Sequence, residues 1–157
     1  MDIIGKTTIH PFLFYTGKIA GYITWIIFIL NVTGVQILNT YSAYNNKYIA
    51  FLILFVALFF VVQSLINLGS STRLGLPSEE TKLKTNGIYK ISRNPMYVGF
   101  NLLTVTSKIY TLNLWIIIVG IYSIAVYHLI ILGEELFLEN SFGTSFLEYK
   151  NKTRRYL

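Results

Sequence analysis

The 157-residue chain has room for one domain, and with 54% apolar and only 13% charged residues it fits a polytopic membrane protein rather than a soluble globule. It contains no cysteine, which excludes disulfides, a thiolate nucleophile and cysteine metal sites. The net charge of +6 has no exposed polar domain through which to serve nucleic acid, and membrane topology accounts for it better.

In chain order, residues 1–15 are mixed and suit the membrane interface, where His10 reads as a solvated or headgroup-facing side chain. The first apolar run is too long for a signal-peptide core and lacks a small-residue cleavage site, so it is read as a retained span over 17–37. Gly17 and Gly21 at its start form a Gly-x-x-x-Gly pair that lets helices approach closely. A short Asn-, Tyr- and Ser-rich turn leads to a second span, 48–68, which is apolar until Gln63, Ser64 and Asn67. Gln63 and Asn67 share a helical face suited to interhelical hydrogen bonds or, as the alternative, to substrate contact.

Residues 69–94 form the one long hydrophilic connection, with Arg73, Glu79, Glu80, Lys82, Lys84 and Lys90 among the breakers Gly75 and Pro77. The third apolar segment, 95–110, makes a helix of only about 24 Å, short of the ~30 Å hydrocarbon core. It is expected to form a hairpin with the fourth span, 114–133. Asn101, Thr104 and Lys108 lie along one face that lipid tails do not tolerate cheaply. The tail, 134–157, is amphipathic and aromatic, and Gly143 is expected to split it into two short helices.

The expected fold is thus all-α, a single domain over 1–157 with about four transmembrane helices and a C-terminal helical segment. This arrangement puts the N-terminus, the 69–94 connection and the tail on one side, with 11 of the 13 Lys and Arg residues; only Lys47 and Lys108 lie opposite. By the positive-inside rule that side is cytoplasmic.

The stretch around which the chain is organised is Gly87-Ile-Tyr-Lys-Ile-Ser-Arg93-Asn94-Pro95-Met-Tyr97-Val-Gly99. Proline at the first turn of a helix gives up no hydrogen bond and asparagine is a strong cap, so a helix starts at Pro95. Its free amides and positive dipole end then lie beside Arg93, a place suited to an anion. A carboxylate pair, Glu134 and Glu135, ends the fourth span. A carboxylate at that depth needs a partner, and Arg93 or the tail arginines are the candidates. His128, inside the fourth span, reads first as a buried hydrogen-bonded residue, with a pocket-lining role as the alternative.

Together the two blocks resemble the isoprenylcysteine carboxyl methyltransferase family and related small membrane methyltransferases. The first matches Gly-x-Tyr-x-x-x-Arg-His/Asn-Pro-x-Tyr. The second matches Glu-Glu-x-x-Leu-x-x-x-Phe-Gly through Glu134, Glu135, Leu138, Phe142 and Gly143, then Phe146, Tyr149 and a trailing Arg155. The resemblance implies S-adenosyl-L-methionine as cofactor. The residues it points to are Tyr89, Arg93, Asn94, Pro95, Tyr97, Glu134, Glu135, Phe142 and Tyr149 for the cofactor, and Arg93, Glu135 and Arg155 for catalysis, with no metal. It also implies that the 69–94 connection covers a site at the membrane surface.

Methyl transfer from a sulfonium is an in-line displacement, so alignment and exclusion of water are the protein's main tasks. A carboxylate acceptor is already ionised and needs only positioning, whereas an amine or thiol needs a base, with Glu135 or Tyr97 the first candidates. Three departures bear on the acceptor: Asn94 where the carboxyl methyltransferases usually have histidine, Phe146 for the first tyrosine of Tyr-x-x-Tyr, and no proline near the terminal arginine. A lipid amine, a small thiol or another hydrophobic acid fits as well as a prenylcysteine. The rival readings are a nicotinamide-dependent membrane reductase and a non-catalytic membrane partner.

Overall fold

A computed structural model describes residues 7–38, 44–69 and 83–157. Among them are five α-helices, α1 (Pro11–Val32), α2 (Tyr44–Leu68), α3 (Pro95–Thr111), α4 (Leu114–Phe142) and α5 (Thr144–Lys152), and no strand. Arg73, Gly75, Pro77, Glu79, Glu80 and Lys82 of the long connection lie outside the described residues, so its expected role as a cover does too.

The helix ends follow local chemistry more closely than hydropathy. α1 starts at Pro11, whose ring presets the helical φ, and stops before Gly34 at φ 90, so it lies five to six residues N-terminal to the expected 17–37. His10, just before it, is exposed. α2 begins four residues before the expected 48. α3 and α4 form the expected hairpin: Leu112 takes φ 45, and the Asn113 Oδ1 caps α4 by accepting the Trp115 and Ile116 N–H groups at 3.0 and 3.4 Å. Gly133 lies inside α4, packed against Thr8, and the helix runs nine residues past this expected end, carrying Glu134 and Glu135 inside the helix rather than into the tail. Gly143, at φ 52, makes the break before α5.

α1 packs antiparallel on α4. Gly17 and Gly21 bring the backbone onto Val126, Ser123 and Tyr127, and the Ser123 hydroxyl donates to the Gly17 carbonyl at 2.9 Å. The Gly-x-x-x-Gly pair is thus used inside the chain. α2 packs on α3 through Gly99, where a Cβ would stand 2.6 Å from Val61 Cγ2 and 2.9 Å from the Ala57 carbonyl. The Trp25 indole N–H of α1 donates to Thr104 Oγ1 of α3 at 3.0 Å.

Phe28, Ala50 and Tyr110 cluster at one end of the bundle. At the other, Thr8 lies on Gly133, Asn67 on Ile88 and Arg93 on Glu135. That end therefore gathers the start of α1, the end of α2, the start of α3, the end of α4 and the tail.

Large apolar side chains cover the outside, among them Phe55, Leu52 and Trp115. Three helices are long and apolar enough to cross a membrane: Pro11–Val32, Asn46–Leu68 and Leu114–Phe142. α3, at 17 residues or about 25 Å, is shorter and is largely enclosed by its neighbours.

Candidate active site

The site begins where the chain enters the Gly87–Lys90 3-10 turn. Gly87 has φ 62, and a Cβ there would collide with Asn67 Oδ1, so the turn requires glycine. That same oxygen accepts the Ile88 N–H at 3.2 Å, while Asn67 Nδ2 donates to the Gln63 carbonyl at 2.9 Å. The Asn67 side chain is therefore engaged in structural hydrogen bonds. Ile88 and Tyr89 bury against Phe60 and Val98, and the Tyr149 hydroxyl of α5 donates to the Tyr89 carbonyl at 2.6 Å, which draws α5 over the turn. Burial, with the nearby charge of Glu134, pushes the Tyr89 phenol up to about 12.

Beyond the turn, the strand-like tail after α5 lies along Ser92, Arg93 and Asn94. The Arg93 N–H donates to the Arg154 carbonyl at 2.9 Å, and Ser92 Oγ donates to the Arg155 carbonyl at 3.2 Å. The Arg93 guanidinium is engaged at every nitrogen. Nε and Nη2 reach Glu135 Oε1 at 3.2 and 3.0 Å, and Nη1 donates to the carbonyls of Lys150 and Thr153.

Arg155 closes the other side of the carboxylate. Its Nε and Nη2 meet Glu135 Oε2 at 3.1 and 2.8 Å, and this hydrogen bonding raises the arginine pKa above its ordinary value. Glu135 thus accepts five hydrogen bonds, the fifth from Asn94 Nδ2 at 3.0 Å.

Asn94 precedes α3 as expected but does not cap it with its side chain. Its side-chain nitrogen donates to Glu135 Oε1 and to the Arg155 carbonyl, which turns the side chain to the carboxylate, and its Oδ1 makes no cap bond to the first-turn amides. Pro95 begins α3 and is fully buried.

The two glutamates separate. Adjacent helical residues point about 100° apart, so Glu134 turns toward α1 and α3. Its Oε1 accepts the Tyr97 hydroxyl at 2.6 Å, and Lys18 of α1 is the cation that acts on it. Phe142 lies two turns beyond Glu135, about 10 Å along α4. The structure therefore joins Arg93, Asn94, Glu135 and Arg155 in one cluster, sets Glu134 and Tyr97 on the adjoining face, buries Tyr89 and Tyr149 behind, and leaves Phe142 apart.

Two features had no signal in the sequence. One is the set of tail carbonyls, since any residue supplies a carbonyl. The other is a partner for His128, whose Nδ1 lies 2.6 Å from the Tyr156 hydroxyl. That pair borders an open cavity of about 560 Å³, lined by Asn101, Ile124, Ala125, His128, Leu129 and Tyr156. Its volume is within the ~300–1,000 Å³ usual for small-molecule sites.

The sequence model of the phospholipid methyltransferase family matches residues 45–145, from the start of α2 into α5 and through both charged blocks. The chain belongs to that family. Searches of curated proteins and of solved structures returned no match. The phospholipid methyltransferase match takes in Arg93, Asn94, Glu134 and Glu135, together with both helices that line the cavity, and it supports membrane methyltransferase activity. It ends before Arg155 and Tyr156.

Proposed function

We propose that the protein transfers a methyl group from S-adenosyl-L-methionine to a lipid-like acceptor at the cytoplasmic face of the membrane. The observation that carries this reading is the junction of a charged cluster at the start of α3 with an open, mostly apolar cavity between α3 and α4. A polar cofactor suits the first and a chain-bearing acceptor the second. The family's description favours a phospholipid as that acceptor.

The side chains at the junction fit the cofactor. Glu134 engages only one carboxylate oxygen among the described residues and can receive an ammonium group. Arg155, whose side chain is 33% exposed, keeps an outward edge for a carboxylate. Tyr97, half-buried on this face, supplies aromatic surface for a purine, and the buried Tyr89 and Tyr149 back the site. When bound, this cofactor supplies an electrophilic methyl group. Arg93 and Glu135, engaged with each other and with the tail, act by positioning Arg155, Asn94 and the start of α3.

The orientation rests on the crowding of basic residues at the site end of the bundle, which the positive-inside rule assigns to the cytoplasm. A nicotinamide-dependent reductase and a non-catalytic partner are the alternatives. The test supplies methyl-tritiated S-adenosyl-L-methionine to purified protein in proteoliposomes made from a total lipid extract. Tritium is expected in an organic-phase lipid; tritium that stays in the aqueous phase while the cofactor is intact contradicts the reading.

A further inference from the structure

The tail meets the chain before α3 along two strips, 89–94 and 149–157, that are bonded to each other at several points. The Tyr149 hydroxyl donates to the Tyr89 carbonyl, the Arg93 N–H to the Arg154 carbonyl, and the Arg93 guanidinium to the Lys150 and Thr153 carbonyls. Side chains that build the site turn inward from both strips: Tyr89, Ser92, Tyr149 and Thr153 are buried, and Arg93 and Arg155 meet Glu135. Those left outside include Lys90, Ile91, Lys152, Arg154 and Leu157, with Ile91 56% and Leu157 59% exposed.

The outer side is cationic without compensation. Neither strip contains an acidic side chain. Nearby, Glu135 is taken by two arginines and Glu139 by Lys150 at 3.0 Å, while Glu148 of α5 makes no ion pair with a described residue. Lys90, Lys152 and Arg154 therefore present three charges with no carboxylate at ion-pair distance among the described residues.

Position and neighbours distinguish these charges from an ordinary solvated face. The first strip ends at Pro95, where α3 enters the bundle, and the second is bonded to it, so both stand at head-group level. Ile91 and Leu157 expose apolar side chains among the cations, the pairing that suits the boundary between acyl chains and phosphates. A zwitterionic head group would bring a cation of its own toward this surface; an anionic one brings only the charge that is missing.

We propose that the head groups of anionic phospholipids in the host bilayer bind this surface through Lys90, Lys152 and Arg154 and so hold the tail on the site. Arg154 is the link: its carbonyl accepts the Arg93 N–H, and its neighbours Thr153 and Arg155 bond Arg93 and Glu135. A lipid that binds the docked tail and not the released one stabilises the docked form by mass action. The binding stands on the surface alone; its effect on turnover rests on the methyl-transfer reading.

Thermal unfolding in detergent, titrated with dioleoylphosphatidylglycerol or with dioleoylphosphatidylcholine, gives an apparent affinity for each lipid. The anionic lipid should bind more tightly, and the preference should vanish near about 1 M sodium chloride, where the screening length is ~3 Å. Lys90→Gln, Lys152→Gln and Arg154→Gln should each weaken phosphatidylglycerol binding roughly fivefold, and about 100-fold when combined. Lys47→Gln with Lys108→Gln, at the end of the bundle marked by Tyr110, should leave it unchanged. Equal affinity for both lipids, full phosphatidylglycerol affinity in the triple variant, or the same stabilisation by water-soluble glycerophosphoglycerol would overturn the proposal without touching methyl transfer. In proteoliposomes of a total lipid extract, added phosphatidylglycerol should raise turnover severalfold in the unaltered protein and not in the triple variant. Equal turnover with and without it would overturn the hold on the site, whereas absence of any lipid labelling refutes methyl transfer itself and leaves the binding result to stand.

Discussion

Glu135→Ala is expected to lower stability by about 3–5 kcal/mol, the cost of removing one partner from a buried ion pair, and to release the C-terminal tail. The side chains of Glu135 and Arg93 are only 5% and 8% exposed, and Arg155 meets the same carboxylate from the opposite side. Without it, two guanidiniums face each other across the emptied position and the Asn94 amide loses a charged acceptor. Glu135→Gln should cost less, because one carbonyl oxygen remains while the new NH₂ must oppose one arginine. Thermal unfolding in detergent and limited trypsin digestion check this. Both variants should melt below the parent, with alanine the lower, and cleavage at Lys150 and Lys152 should accelerate in the same order. An alanine variant that melts with the parent and resists trypsin equally would show that the triad does not hold the tail.

A stop codon after Lys152 is expected to abolish turnover, by roughly 100-fold or more, on the scale of a misplaced catalytic group, while the helices remain assembled. The residues removed supply the Thr153, Arg154 and Arg155 carbonyls to Ser92, Arg93 and Asn94. They also supply the second guanidinium to Glu135 and the phenol to His128. The shortened chain keeps Phe146 and Tyr149, buried anchors of α5, as well as the Arg93–Glu135 pair and the packing of α1 on α4. Circular dichroism should therefore show near-parental helix content alongside the lost activity. Loss of the helices as well would mean that the tail is part of the core rather than an edge of the site.

The sequence made the helical bundle legible because its punctuation is local. Pro95 starts α3, Gly143 divides α4 from α5, and the turn before Leu114 needs only an asparagine and one left-handed residue. The pairing of an interfacial carboxylate with Arg93 and a tail arginine was also readable, since burial of a charge demands a partner. Apolar run length misplaced α1, because hydropathy weighs side chains while Pro11 and Gly34 act through backbone dihedrals.

Asn94 was legible as a boundary but not in its bonding, as Glu135, which accepts from its side-chain nitrogen, lies 41 residues away. The divergence of Glu134 and Glu135 follows from helix geometry once α4 is known to continue through them. The partnership of His128 with Tyr156 depends on the course of the tail over the bundle, which no local pattern encodes.

Titrating the purified protein in detergent with S-adenosyl-L-methionine and, separately, with NADPH distinguishes a methyltransferase from a reductase. Saturable binding of S-adenosyl-L-methionine, weakened in Glu134→Gln and in Arg155→Ala, is expected, with no saturable binding of NADPH. Saturable NADPH binding with none of S-adenosyl-L-methionine would contradict methyl transfer as the protein's activity.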